Sequence, residues 1–160
     1  MQIDSKAKRT LVFLLKDGEV LLAMKKRRFG AGKWNGLGGK LEPNETVREA
    51  AVRESQEEAG VTPQNVKEVA EIHFHYAPDP SDINMNVTVT VYTADNWFGE
   101  PTETEEMSPR WFKLSEVPYS HMWEDDQIWL PFVLRGEKIK AEFTFGSPEK
   151  ITKAQVEVIK

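Results

Sequence analysis

The sequence predicts an α/β protein, an α/β/α sandwich in which helices cover both faces of a central mixed sheet. Apolar and polar residues alternate strictly over positions 83–91, which is typical of a half-buried strand. Asp17 and Gly18 separate two apolar runs and therefore predict a tight hairpin. Residues 46–59 contain neither glycine nor proline and predict a helix. Strands interleaved with helices favour this layered architecture.

The first hairpin is expected to join strands at 10–15 and 20–24. A glycine-rich stretch at 29–40 then leads, as an irregular loop, into a short strand. The elements expected after the helix are strands at 66–76, 83–91 and 110–114, a turn at 78–81, a helical turn at 115–118, a second helix at 125–134, and a C-terminal hairpin of strands 138–145 and 151–159. The sequence shows no repeat or linker, so we expect one domain spanning residues 1–160.

Composition and charge narrow the class of protein. Of the 160 residues, 39% are hydrophobic and 29% are charged, which is typical of a soluble domain with a core. The net charge of −5 argues against a stable nucleic-acid complex, because phosphate backbones require clustered Lys and Arg. The chain has no Cys, which excludes disulfides and thiolate metal sites. Residues 1–9 form no apolar signal core, and no apolar run approaches the ~20 residues that span a membrane. We expect a cytoplasmic monomer.

The helix at 46–59 carries signals for both of its ends. Thr46 followed by Glu49 three residues later fits a capping box at the N-terminus. Gly60 fits the residue after the last turn, where a left-handed backbone ends many helices. These local signals predict the helix and its bounds without reference to the rest of the chain.

Three glutamates occupy the side of this helix that should pack against the sheet. The apolar stripe at positions 47, 50 and 51 continues one turn further into Glu54 and Glu58, with Glu57 at its edge. The like-charge pairs Glu54–Glu57 and Glu54–Glu58 each lower the stability of the helix by roughly 0.2–0.5 kcal/mol. The helix dipole also disfavours anions near the C-terminus. Arg53 reaches Glu57 but cannot neutralise three carboxylates. Oxygen ligands without His or Cys suit Mg²⁺, and also Mn²⁺. A solvated acidic helix is the alternative, but its charged face would not continue the apolar stripe.

Seven residues of this region share a spacing, G-x5-E-x7-R-E-x-x-E-E-x-G. They are Gly39, Glu45, Arg53, Glu54, Glu57, Glu58 and Gly60. On this motif the chain resembles the Nudix hydrolases over nearly its whole length. The resemblance implies the Nudix fold, metal ligation by the three helix glutamates, orientation of those carboxylates by Arg53, and a backbone carbonyl ligand from Gly38. Ser55 departs from the family pattern, which usually has a bulkier apolar residue there.

A basic cluster at positions 25–28 precedes the glycine-rich loop. Glycine allows a ligand to approach the backbone closely, and Lys or Arg can neutralise phosphate. Taken alone, such a run is usually a solvated patch followed by an ordinary loop. Its position directly before the acidic helix favours a phosphate site, and Gly38, Gly39 and Lys40 are the candidate contacts.

A second acidic segment contains Glu103, Glu105 and Glu106. A solvated acidic turn explains Glu103. Nudix enzymes often add a metal ligand or a base from a loop beyond the motif, and Glu106 is the matching position here. The resemblance therefore makes Glu106 a candidate ligand, and the general base is either Glu58 or a loop glutamate such as Glu106.

Trp123 stands just before the adjacent carboxylates Asp125 and Asp126. An aromatic plate can stack a base, and two close carboxylates rarely both ionise, so one keeps a proton that it can donate. A guanine edge offers N–H donors beside an O6 acceptor and complements that pair. The alternative is that one of the two carboxylates caps the following helix. This segment alone favours neither.

The runs at 24–40, 105–112 and 122–134 resemble the eukaryotic-type oxidised-purine nucleoside triphosphatases, a MutT-like branch of the Nudix family. This resemblance implies Mg²⁺-dependent hydrolysis of 8-oxo-dGTP and 2-oxo-dATP to the monophosphate and pyrophosphate, which sanitises the nucleotide pool. The base-site residues that it implies are Thr10, Lys25, Phe29, Asn35, Trp123, Asp125 and Asp126. Glu124 departs from the branch, which has Pro there. His73, Phe74 and Tyr76 lie on the strand that should line the pocket.

Two alternative functions stay open. The first is action on another Nudix substrate, such as a dinucleoside polyphosphate, a capped RNA end or an unmodified dNTP. The second is a non-catalytic module that senses a nucleotide. All the glutamates of the motif are present, which disfavours the second alternative.

Overall fold

The computed structural model of the protein describes residues 8–27, 30–76, 86–146 and 150–160. Two helices and ten strands are assigned in these ranges, with short 3-10 turns at Leu114–Glu116 and Tyr119–His121. The helices are α1 (Val47–Ala59) and α2 (Asp126–Leu134). The strands are β1 (Lys8–Lys16), β2 (Glu19–Lys25), β3 (Trp34–Asn35), β4 (Thr62–Pro63), β5 (Lys67–Tyr76), β6 (Asn86–Ala94), β7 (Trp97–Phe98), β8 (Met107–Lys113), β9 (Lys138–Phe145) and β10 (Ile151–Ile159).

Eight of these strands form one sheet. Its order is β10-β9-β5-β6-β1-β2-β3, and β8 also pairs with β2. Strand β1 runs parallel to β6, and β5 runs parallel to β9, whereas the other neighbouring pairs are antiparallel. The mixed sheet and the C-terminal hairpin predicted from the sequence are confirmed.

The two helices cover opposite faces of this sheet. Alternate residues of β1 divide between two hydrophobic clusters, because successive side chains of a strand point to opposite faces. Phe13 packs in a cluster with Trp129 and Leu130 of α2. Val12 packs in the other cluster with Ala51 of α1. The predicted α/β/α arrangement is therefore confirmed, and β1 forms the wall between the two cores.

The local signals at the first hairpin and at α1 are confirmed. Asp17 and Gly18 both have positive φ, 53° and 76°, as a two-residue hairpin loop requires. The side chain of Thr46 accepts from the Glu49 amide at 3.1 Å, and Glu49 Oε1 accepts from the Thr46 amide at 2.9 Å. Gly60 ends the helix in the left-handed region, at φ 71°.

Ser55 does not disrupt the packing of α1. It is fully buried, and its hydroxyl donates a 2.8 Å hydrogen bond to the carbonyl of Ala51. A buried hydroxyl is tolerated when it is bonded, so the departure from the family pattern leaves no unsatisfied group in the core.

Several element bounds differ from the sequence prediction. Strand β8 begins at Met107, three residues before the predicted start, because it pairs with β2 as far as Lys25. Strand β6 continues to Ala94, three residues past its predicted end, where β1 still pairs with it. The two-residue strands β4 and β7 pair with each other and are too short for a period-2 signal. Positions 83–85 of the predicted strand, the turn at 78–81 and positions 147 and 148 of the last turn lie outside the described residues.

Neither helix of the described residues is long and apolar enough to serve as a transmembrane span.

Candidate active site

The glycine loop lies against the first strand of the sheet. Val12 and Leu37 exchange backbone hydrogen bonds of 2.6 and 3.0 Å, and the Thr10 amide donates to the carbonyl of Gly39 at 2.9 Å. Gly38 has φ 151°, and a Cβ at this position would collide with the Thr10 carbonyl. The tight approach therefore requires glycine at position 38.

This approach brings the loop to the glutamates of α1. The Gly38 amide donates a 2.9 Å hydrogen bond to Oε1 of Glu58. A Cβ on Gly39 would stand 2.7 Å from the carboxyl carbon of Glu54, closer than real Cβ contacts allow. Two of the three predicted metal-ligand glutamates thus meet the loop backbone, at the place where the sequence predicted a phosphate site.

Arg53 is the hub of the carboxylate cluster. Its Nε and Nη2 bind the two carboxylate oxygens of Glu45 at 2.7 and 2.9 Å, and Nη2 also donates to the carbonyl of Lys40 at 3.0 Å. Its Nη1 donates to Glu54 at 3.0 Å and to Glu57 at 3.2 Å. The bond to Glu45 is the main reason that the pKa of Arg53 lies above its ordinary value. The rigid fork of the guanidinium therefore fixes both helix carboxylates relative to the loop.

Burial disfavours the charged forms of two of these glutamates. It raises the pKa of Glu58 to about 8, and the charges of Glu54 and Glu106 act in the same direction. The Gly38 amide and the charge of Lys25 oppose this shift. Burial likewise raises the pKa of Glu54, and Arg53 opposes the shift. The side chain of Glu57 is instead 57% exposed. A divalent cation would relieve the cost of ionising the two buried carboxylates.

The donor set fits a hard divalent cation. Its ligands would be carboxylate and carbonyl oxygens, which suit Mg²⁺ or Mn²⁺ and not a thiophilic metal. Within the described ranges, no three acidic or imidazole side chains are already close enough to hold an ion. The sequence predicted three convergent carboxylates. In the structure Glu54 and Glu57 share one partner, Arg53, and Glu58 has a different one, the Gly38 amide.

The acidic loop before β8 binds the basic cluster after β2. Arg27 Nη2 lies 2.6 Å from Glu106 Oε1, and Lys26 forms an ion pair with Glu103. Glu103 is therefore paired, and the interpretation of it as a solvated residue is incomplete. Glu106 is still near enough to Glu58 to raise the pKa of that carboxyl. Sequence reasoning missed these pairs because they depend on the alignment of β2 with β8. Arg28 and Phe29 lie outside the described residues.

Asp125, the residue before α2, and Asp126, its first residue, are almost completely buried, with 4% and 2% of their surfaces exposed. Asp125 Oδ2 accepts a 2.7 Å hydrogen bond from the indole nitrogen of Trp129, and Asp126 Oδ2 accepts one of 3.0 Å from the Trp123 amide. Asp125 is the N-cap residue of α2, but its side chain makes no capping hydrogen bond. The capping alternative therefore does not account for its burial.

Burial also sets the protonation of this pair. It raises the pKa of Asp125 to about 6, and it raises that of Asp126 well above the ordinary value, with a further contribution from the charge of Asp125. Because ionisation of one carboxyl disfavours ionisation of the other, the pair keeps a proton to a higher pH than isolated aspartates do. The arrangement can offer an acceptor and a donor side by side.

The residues around the aspartates define the rest of the candidate base site. Lys33 Nζ lies 5.0 Å from the centre of the Trp123 ring, and its charge also acts on Asp126. Sequence reasoning did not single out Lys33, because nothing local connects it with Trp123. Tyr76 is also near the pair, since Asp125 raises the pKa of its phenol.

The strand that the resemblance left ambiguous is now placed. Phe74 and Tyr76 lie on the α2 side of the sheet and stack with ring centroids 6.4 Å apart. His73 lies on the opposite face, where its ring contacts Thr88. His73 is therefore not on the side of the aspartates.

Two other predicted base-site residues contact the glycine loop. Thr10 is buried, with Oγ1 3.5 Å from the Gly39 amide, and it shares a strand face with Val12. Asn35 Oδ1 accepts from the Gly36 amide at 2.8 Å. These two side chains therefore support the loop, whatever further contact they make with a ligand.

Comparisons with known proteins agree with this arrangement. Residues 6–132 match the family described as NUDIX domain. The chain is 39% identical over 150 residues to an oxidized purine nucleoside triphosphate hydrolase of Danio rerio, covering 94% of each chain. It is 40% identical over 142 residues to the protein of that name from Mus musculus, covering 89% of this chain and 88% of the other. A crystal structure of a MutT mutator protein from Bacillus halodurans superposes with a TM-score of 0.83 at 24% identity, covering 94% and 97% of the two chains, and so shows the same fold. The chain therefore belongs to the Nudix family of hydrolases.

Proposed function

We propose that the protein hydrolyses oxidised purine nucleoside triphosphates, such as 8-oxo-dGTP and 2-oxo-dATP, to the monophosphate and pyrophosphate with Mg²⁺. The observation that carries this proposal is the buried pair of Asp125 and Asp126 beside Trp123. Burying two adjacent carboxyls is unfavourable, and each accepts a hydrogen bond from the protein that offsets part of the cost, so further donors and acceptors on a ligand would stabilise the pair. The names of the relatives from Danio rerio and Mus musculus support the same substrate class.

The pair has the chemistry to bind a purine edge. One ionised and one protonated carboxyl present an acceptor and a donor, which match the N1–H and O6 groups of an oxidised guanine. A 2-oxoadenine edge carries a different pattern, and the pair can match it when the proton occupies the other carboxyl. Trp123 provides the surface on which the base stacks.

The phosphates extend toward α1 in this proposal. Bound metal ions supply charge neutralisation and a more acidic attacking water. Arg53 holds Glu54 and Glu57 in place, and the glycines at 38 and 39 allow the close approach of phosphate oxygens. The water oxygen forms a bond to phosphorus, its proton passes to Glu58 or Glu106, and the bond to the bridging oxygen of pyrophosphate breaks.

We also infer that residues 1–160 act as one domain, as a cytoplasmic monomer. Both helices pack on the same sheet, and the absence of Cys suits a reducing compartment. Light scattering at micromolar concentration should give the mass of a single chain.

A turnover panel tests the function. The substrates are 8-oxo-dGTP, 2-oxo-dATP, dGTP, dATP, a dinucleoside tetraphosphate and a capped RNA oligomer, each with Mg²⁺. We expect kcat/KM to be highest for the two oxidised triphosphates, with the monophosphate and pyrophosphate as products. Preferred hydrolysis of any other member of the panel would overturn the proposal.

A further inference from the structure

Arg9 of β1 points into a layer of the protein that is otherwise mostly apolar. It pairs with Val89 of β6, which in turn pairs with Ile72 of β5. Directly opposed residues of neighbouring strands point to the same face. Val89 and Ile72 belong to the core cluster beneath α2, so Arg9 lies on the same face of the sheet as α2.

One nitrogen of the Arg9 guanidinium, Nε, is buried, and among the described residues no group accepts a hydrogen bond from it. By contrast, Arg53 binds both oxygens of Glu45. A guanidinium is always charged and carries five donors, so leaving a buried N–H without an acceptor is unfavourable. An acceptor that arrives with a ligand would remove this cost.

The neighbourhood of Arg9 identifies the site that such a ligand would occupy. Tyr76 lies on the same sheet face and stacks with Phe74. Burial raises the pKa of its phenol, Asp125 raises it further, and Arg9 opposes the shift. Asp125 and Arg9 are therefore both within electrostatic range of the Tyr76 hydroxyl. The strand register places Arg9 on the sheet face that α2 covers, and the carboxylate pair lies at the start of α2.

The acceptor is constrained by the chemistry of the site. The carboxylates can accept hydrogen bonds from the N–H groups of a base, but only a carboxyl that keeps its proton can donate to a carbonyl oxygen. Arg9 can always donate to a carbonyl oxygen, as arginine does to guanine in the major groove. We propose that Arg9 binds a carbonyl oxygen of the purine base and sets the preference for oxo-purines over purines that lack that oxygen. This inference rests on the proposed function.

Four triphosphates that differ in their carbonyl oxygens show which oxygen Arg9 binds. 8-oxo-dGTP carries O6 and O8, dGTP carries O6, 8-oxo-dATP carries O8, and dATP carries neither. With Arg9→Met, we expect a loss of preference for the triphosphates that carry the oxygen bound by Arg9. Their kcat/KM, relative to that of the triphosphates without this oxygen, should fall about tenfold or more. A lower ratio of kcat/KM for 8-oxo-dGTP to that for dGTP would identify O8 as the bound oxygen. A lower ratio for dGTP to dATP would identify O6. An equal change for all four substrates would overturn the inference.

Binding of the product 8-oxo-dGMP without metal provides a second measurement. Calorimetry should show weaker binding to Arg9→Met than to the wild type, with partial recovery in Arg9→Lys, which keeps the charge but loses the fork. Lys8→Met is the matched control, because Lys8 is the exposed neighbour on the opposite face and should bind like the wild type. If Arg9→Met does not fold, the same kcat/KM ratios are measured with Arg9→Gln and Arg9→Lys instead. A wild type that does not prefer oxidised purines refutes the proposed function. A wild type that prefers them, with unchanged ratios in every Arg9 variant, refutes only the role of Arg9.

Discussion

The amide of Gly38 donates a 2.9 Å hydrogen bond to Oε1 of Glu58, and this contact joins the glycine loop to α1. The carboxylate is otherwise buried, and burial raises its pKa to about 8. A backbone amide stabilises the ionised form and opposes that shift. Glu58 thus lies at the junction of the glycine loop and the helix that carries the other two glutamates of the motif.

The position of Glu58 leads to a prediction about the general base. Glu106 is tied to Arg27 in a half-exposed ion pair, whereas Glu58 is buried between loop and helix. We expect Glu58→Gln to lower kcat more than Glu106→Gln. At the buried position of Glu58 fewer other groups can take the proton from the attacking water once the carboxylate is removed. Steady-state kinetics of the two variants at saturating Mg²⁺ gives the comparison. A larger loss in Glu106→Gln would assign the base to the loop instead.

Substitution of Glu57 tests the carboxylate cluster without disturbing the core. Glu57→Gln keeps the size of a mostly exposed side chain but removes a charge near the helix C-terminus. We expect kcat to fall about 10²-fold or more, with Tm unchanged or slightly higher because repulsion is relieved. Glu157→Gln, an exposed change on β10, is the control and should keep wild-type kcat. EDTA should abolish turnover in the wild type, and activity that survives EDTA would refute the metal-dependent mechanism.

Arg53 should not be replaceable by lysine. Its fork binds both oxygens of Glu45 and also reaches Glu54 and Glu57, and an ammonium cannot make these contacts together. We expect Arg53→Lys to lower the free energy of unfolding by about 1–3 kcal/mol and to reduce kcat. Urea denaturation with Arg110→Lys as an exposed control measures the first effect. Equal stability of the two variants would show that the charge alone is sufficient.

The aspartate pair should govern substrate preference more than basal turnover. Asp125→Asn keeps an acceptor for the Trp129 indole but prevents the exchange of a proton between the two carboxyls. The pair is proposed to bind the N1–H and O6 edge, which guanine has and adenine lacks. We therefore expect the ratio of kcat/KM for 8-oxo-dGTP to that for 8-oxo-dATP to fall about tenfold or more, while hydrolysis of 8-oxo-dATP changes less. An unchanged ratio, with only a lower Tm, would assign the pair a structural role.

The same pair makes stability depend on pH. A carboxyl whose folded pKa is raised above its unfolded value near 3.8 stabilises the fold fully below that value, and the stabilisation is lost as pH rises through the folded pKa. For Asp125 the loss begins near the ordinary pKa of 3.8 and is mostly complete at the folded pKa of about 6, and the pKa of Asp126 is raised in the same direction. Asp126→Asn removes one of the charges, so its stability relative to the wild type should improve from pH 4 to pH 8, by about 1 kcal/mol or more. Urea unfolding in EDTA at both pH values gives the difference, and a difference that does not vary with pH would contradict the shifted pKa values.

Local signals in the sequence determined the elements and the chemistry of α1. The capping box of Thr46 and Glu49, the stop at Gly60 and the hairpin at Asp17 and Gly18 each involve residues within four positions of one another. The three glutamates share a helix side by spacing alone. Interactions of this range depend on backbone geometry and are present in the sequence itself.

Only the tertiary structure decided which distant side chains share a partner. The Arg27–Glu106 pair depends on the alignment of β2 with β8, and the separation of Glu58 from Arg53 depends on the approach of the Gly38 amide. The Arg9 Nε, for which the described part of the chain offers no acceptor, lies on the α2 side because of the register of β1, β6 and β5. These contacts join residues far apart in the chain, and they are selected by packing of the whole sheet, which no local pattern encodes.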